Sequence, residues 1–256
     1  MPKRPRPPTV TTMQGDRESQ SPLLAGPAIE HAVGPSLPLL VWLSPAFPVG
    51  SFAYSHGLEQ AVQAGEIIGL ESARLWLEDL IASGGPRNDA ILLAAAWRAG
   101  RSANDPAVRE INALALALAS SKERYLETST QGNGFMSAVA AAWACPGLMS
   151  MRAGLDGDVA YPVAVGIAAA AHGIALTATL EAYLVATTTS LASALVRLAV
   201  IGQTDGQRLI ASLTTALAAL ARYASTATLD DIGGAAFGSD LAAIAHETQE
   251  TRMFRS

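Results

Sequence analysis

Few side chains in this chain are equipped for chemistry, and their spacing limits what they can do. The histidines are His31, His56, His172 and His246; beside them stand a single cysteine, Cys145, and two lysines, Lys3 and Lys122. His246-Glu247-x-x-Glu250 departs from the H-E-x-x-H pattern of zinc proteases, because a glutamate takes the place of the second imidazole. A spacing of four puts His246 and Glu250 on one helical face, but two ligands do not make a catalytic metal centre. Metal binding through His246, Glu247 and Glu250 is the alternative reading this motif leaves open. Ser55 and His56 are sequence neighbours that point in different directions at a helix start, and no G-x-S-x-G elbow occurs, so they are not a nucleophile and its base. His56 is expected to hydrogen-bond within its own turn. His172, set among alanines before Gly173, is expected to be a core or helix-end histidine.

The lysines exclude a further class. Neither sits in G-x-x-x-x-G-K-[ST], so the chain has no phosphate loop with which to hydrolyse a nucleotide. Gly202-Gln203-Thr204-Asp205-Gly206-Gln207 is bounded by glycines but has no lysine, and reads as a helix junction capped by Thr204 or Asp205. Such a chain can still act on a nucleotide-hydrolysing partner, since a regulator needs only to position that partner's loops or lend it a polar side chain. The lone Cys145 rules out an intrachain disulfide, suits a reducing cytoplasm and reads as a small buried hydrophobe. No catalytic residue, cofactor or resident metal is expected.

Composition narrows the partners. The net charge is −5 and half of the residues are hydrophobic, whereas 15% are charged. Nucleic acid is excluded as a partner, because phosphate binding needs clustered Lys and Arg, and the one obvious cluster, Lys3-Arg4-Arg6, lies in an N-terminal tail. So few charges over so apolar a chain favour a face buried against a second copy or a partner. The apolar region 159–202 is interrupted by His172, Glu181 and Arg197, which argues for buried helices and against membrane insertion.

The elements that must position these residues are helical. Residues 1–37, rich in Pro, Ser, Thr and Gly without periodicity, read as a disordered leader, and 38–256 as one compact all-α domain of roughly eight to ten helices with no β-sheet. Leu70, Ala73, Leu77, Leu80 and Ile81 form one stripe, closed by Gly84-Gly85-Pro86. Asp105 is expected to cap a helix with Pro106 in its first turn, and another runs from Glu123 to Trp143, bent or divided at Gly132 and Gly134. A loop is expected over 149–158. Helices follow from Tyr161-Pro162 to Gly173, from Leu176 to Ile201, from Thr204 or Asp205 to about Tyr223, and from Ser239 or Asp240 onward.

The segment 40–59 stands apart from this alanine-rich background. Trp42, Phe47, Phe52 and Tyr54 can each bury a large area, Pro45 and Pro48 forbid a continuous helix, and Gly50 and Gly57 allow close backbone approach. A rigid turn entering a helix is expected, with Ser55 as cap, Leu58, Ala61 and Val62 at helical spacing and a stop at Gly65. The signature residues are Trp42, Phe47, Pro48, Gly50, Ser51, Tyr54, His56, Gly57 and Glu59. At the other end, Thr251-Arg252-Met253-Phe254-Arg255-Ser256 puts arginines and bulky apolar groups in a terminal segment. That composition suits a tail that folds on a partner, the alternative being a tail docked on its own domain.

Segment 40–59 resembles the N-terminal signature of the UreF family of urease accessory proteins. The same resemblance is carried, in order, by Glu123-Arg124-Tyr125-Leu126-Glu127-Thr128 with Gly132 and Phe135, by 194–209, and by His246 through Ser256. Met253 stands where the family more often has leucine, and Ala199-Val200-Ile201 where many members have a proline-containing turn. The resemblance implies an all-helical, homodimeric, cytoplasmic and non-enzymatic assembly factor. Such a factor bridges UreD (also called UreH) and the GTPase UreG in the complex that delivers nickel to apo-urease, docking and regulating the GTPase. It places the UreD contact at Arg252, Phe254, Arg255 and Ser256, and a dimer or GTPase-facing surface at Arg197, Gln203, Thr204 and Gln207. It also makes nickel the metal of the alternative reading, a carrier using His246, Glu247 and Glu250.

Overall fold

Alanine and glycine let the helices of this chain approach closely, and that closeness organises the fold. The structure, a computed structural model, describes residues 37–256 together with Met1. The leader expected over 1–37 lies outside the described residues except at its two ends, and Leu37 opens the first helix. The helices are α1 (Leu37–Trp42), α2 (Leu58–Gln63), α3 (Leu70–Ser83), α4 (Gly85–Arg101), α5 (Asp105–Ala117), α6 (Lys122–Ala142), α7 (Pro146–Ala153), α8 (Tyr161–Ala171), α9 (Leu176–Arg197), α10 (Gln203–Thr226) and α11 (Phe237–His246). Short 3-10 turns occupy Ser51–Ala53 and Leu229–Asp231, and no strand occurs among the described residues. The all-α fold expected from periodicity is the fold observed.

At the centre is α8, in which every residue from Pro162 to Ala170 is buried. It packs against α4 and α6, and α10 closes the other side against α9, α3 and α4. Small side chains make this possible. A Cβ on Gly166 of α8 would lie 2.6 Å from the Leu93 carbonyl oxygen of α4, inside van der Waals contact. Gly132 of α6 is tighter still, because its Cβ would sit 1.9 Å from the Val159 carbonyl oxygen just before α8. The glycines of α6 therefore do not divide the helix, which runs unbroken to Ala142; they admit neighbouring backbone.

Several local expectations are corrected. Residues 85–101 form α4: Gly84-Gly85-Pro86 ends α3 and also opens the next helix, with Pro86 in its first turn. The expected loop over 149–158 is helical in its first part, since Pro146 starts α7, which runs to Ala153. Asn104, not Asp105, caps α5, its Oδ1 accepting the Ala107 N–H at 3.2 Å. α9 stops at Arg197, before the expected Ile201, and Ala199 takes a left-handed φ of 58° that reverses the chain into α10. Gly202 precedes α10 in place of a Thr204 or Asp205 cap, and α11 begins at Phe237, ahead of Ser239. By length and composition α9 is apolar enough to cross a membrane; half of its apolar window is buried in the fold.

Candidate functional site

The unusual composition of 40–59 is explained by what this segment touches. Trp42 at the end of α1 is fully buried, its ring 5.8 Å from that of Phe135 and 5.0 Å from that of His172 in edge-to-face geometry. Phe47 joins the same cluster 5.5 Å from Phe135, while Tyr54 is buried and Phe52 is 70% exposed. Pro48 is exposed and Ser51 opens the 3-10 turn. Gly50, His56 and Gly57 all take left-handed φ values, 74°, 56° and 78°. Gly57 is required twice over: a Cβ there would lie 2.7 Å from the Ala243 amide nitrogen of α11. Gly57 immediately precedes α2, and the Ser55 hydroxyl, which donates to the Ser256 carbonyl oxygen, also accepts the Glu59 N–H of the first turn of α2 at 3.4 Å.

Around this turn converge acids and histidines from distant parts of the chain. His56 is bonded outside its own turn, its Nε2 lying 2.7 Å from Glu127 Oε1 of α6. Arg124 donates to the other oxygen of Glu127, and Gln131 Nε2 donates to Oε1 at 2.9 Å. Beside them the fully buried His246 sits between two carboxylates, Nδ1 2.7 Å from Glu123 Oε2 and Nε2 3.2 Å from Glu59 Oε2. Arg252 donates to the remaining oxygen of Glu123 at 2.5 Å. Hydrogen-bond donors and carboxylate oxygens alternate through the network, so each buried polar group has a partner.

The tail is docked on its own domain. Phe254 is 4% exposed and Ser256 is fully buried, whereas Arg252, Met253 and Arg255 face outward. Arg197 is drawn into this joint, its guanidinium lying 4.2 Å from the Phe254 ring centroid and donating to the Phe52 carbonyl oxygen. Gln203, Thr204 and Gln207 are exposed in the first turns of α10. His246, Glu247 and Glu250 are not brought together. Both His246 ring nitrogens are committed elsewhere, Glu247 accepts the Lys122 N–H at 2.7 Å, and Glu250 lies beyond the end of α11. Among the described residues no group of three or more His, Cys, Asp or Glu side chains could hold a metal ion.

Next to the network a cavity of about 480 Å³ opens between α1, the 3-10 turn and α9. Its walls are apolar, including Leu39, Leu43 and Val49, and its floor is polar, with His56, Asp89, Arg124 and Glu127. Burial raises the Glu127 pKa, but Arg124 first and then His56, with hydrogen bonds from His56 and Ser256, more than offset it, leaving the carboxyl at about 2. Asp89 goes the other way: burial pushes it up, and Arg124 and the Tyr183 hydroxyl, which donates at 3.1 Å, only partly counter this. Reasoning from residue types gave no role to Asp89, Glu123, Arg124 or Glu127, although three of them stand in the Glu123–Thr128 stretch that carries the resemblance.

Known proteins resemble this chain in sequence. The UreF family model matches residues 68–214, more than half of the chain. The chain belongs to the UreF family. It is 56% identical over 220 residues to a urease accessory protein UreF of Xanthobacter autotrophicus, covering 86% of this chain and 90% of that one. It is 52% identical over 221 residues to the UreF of Azorhizobium caulinodans, covering 86% and 95%. A UreF of Rhodopseudomonas palustris is 47% identical over 232 residues, 91% of this chain and 98% of its own. Coverage is high on both sides, and the family model itself takes in Asp89, Glu123, Arg124 and Glu127.

Proposed function

We propose that this chain is a urease assembly factor that bridges UreD (UreH) and the GTPase UreG in the complex delivering nickel to apo-urease, docking and regulating the GTPase. In this reading it works in the cytoplasm as a homodimer and catalyses nothing itself. Membership of the UreF family supports an accessory role. The observation that carries the more specific reading is the docked tail: Phe254 and Ser256 anchor it, and Arg252, Met253 and Arg255 are held outward on a fixed backbone. Arginine and methionine are enriched at interfaces, and a fixed backbone lowers the ordering cost of binding.

UreD is thus proposed to read the tail, with Phe254 and Ser256 shaping the surface from beneath and Arg252 and Arg255 contributing contacts. The α9–α10 turn, where Arg197 is tied to the tail and Gln203, Thr204 and Gln207 are exposed, is proposed as the dimer or GTPase-facing surface. Truncation before Arg252 tests the reading. The shortened chain is expected to keep its helical circular dichroism and to lose co-purification with UreD; undiminished binding would remove the tail from the interface.

A further inference from the structure

The tail is held in an unusual way. Its backbone amides pair with no helix or sheet of its own; two consecutive ones, Met253 N–H and Phe254 N–H, donate to the two oxygens of one buried carboxylate, Glu59, at 2.7 and 2.9 Å. The next amide, Arg255 N–H, donates to the Ala53 carbonyl at 2.7 Å, and the Ser256 carbonyl accepts from Ser55 N–H at 2.7 Å. Side chains add anchors at both ends, with Arg252 on Glu123 and the Ser256 hydroxyl donating to Glu127 Oε2 at 3.1 Å. Residues 252–256 are therefore clasped from beneath by three acids, one on α2 and two on α6.

We propose that the tail is a single cooperative strap and that Glu59 is the positioning residue that sets its outer face. Glu59 is 8% exposed, so it is nearly closed to anything that docks on the surface, yet it fixes the backbone from which Met253 and Arg255 project. The physical reason is charge. With the strap lifted, Glu59 loses two amide donors and keeps only His246, which it shares with Glu123; a buried carboxylate short of donors is costly, and water reaches it only once the strap is open. The clasp thus favours all of its contacts or none. The proposal rests on the reading of the tail as a partner-binding element for its significance, but not for its test.

Amide hydrogen exchange on the full chain decides it. In the unsubstituted protein the amides of Met253, Phe254, Arg255 and Ser55 are expected to share one opening equilibrium, and four unrelated protection factors would overturn the proposal. Glu59→Gln keeps the side-chain shape, removes the charge and leaves one acceptor for two amides. Protection at all four positions is expected to fall roughly ten- to a hundredfold, the range for hydrogen bonds to a charged group, while the amides of α8 stay protected. A loss confined to Met253 and Phe254, which touch Glu59 directly, would refute the single strap. Should Glu59→Gln fail to fold, the measurement on the unsubstituted protein still decides. Co-purification with UreD forms the second arm: an open strap that binds UreD as before supports the clasp and sinks the partner reading of the tail.

Discussion

Glu127 and Asp89 share a cavity floor and are driven in opposite directions by their neighbours. The Glu127 carboxyl, at about 2 against an ordinary 4.5, is held down by Arg124 and His56 in spite of burial. A depressed carboxylate stabilises the fold above its ordinary value, and that contribution drains away as the pH falls from about 4.5 toward 2. Glu127→Gln is accordingly expected to lower the urea midpoint at pH 7 and to flatten the acid limb of the stability profile below pH 4.5. Asp89 has the opposite sign. Its pKa is raised, so its favourable contribution is present when it is protonated and is lost as the pH rises past the ordinary carboxylate range. Asp89→Asn is expected to raise Tm at pH 7 and to leave it unchanged below the ordinary carboxylate range, where the Asp89 carboxyl is protonated in folded and unfolded chain alike; thermal unfolding at the two pH values checks this.

At the scale of elements, α6 and the tail depend on contacts that tolerate no extra atoms or missing donors. Gly132→Ala would place a methyl group 1.9 Å from the Val159 carbonyl oxygen, and backbone on both sides leaves it nowhere to go. Alanine favours a helix by about 1 kcal/mol over glycine, but overpacking costs typically 1–3 kcal/mol and this overlap is severe. A net destabilisation of about 2 kcal/mol is expected in urea titrations, against a gain if α6 were free of its neighbour. Periodicity revealed most helices because each carries its own stripe of apolar residues. It misjudged the ends where a proline or glycine both closes one helix and opens the next, as at Gly84-Gly85-Pro86, and where a neighbouring residue takes the cap, as Asn104 does ahead of Asp105.

For the whole molecule, Phe52, Phe237, Leu241 and Met253 are apolar and exposed, as on a subunit that is covered in use. Size-exclusion chromatography with light scattering is expected to give a homodimer that moves into a larger species with UreD and UreG; a monomer indifferent to both would overturn the bridging reading. The sequence by itself determined the all-α class, the special character of residues 40–59 and membership of the UreF family, because helical periodicity, proline and glycine constraints and segment likeness are all written in local order. Only the tertiary structure decided what the acids are for. His246 and Glu59 stand 187 positions apart, and the tail reaches back to the first turn of the domain, so no spacing rule links them. Burial then selected the pairings: once packing brought carboxylates, imidazoles and amides into a region with little water, each could be satisfied only by the others.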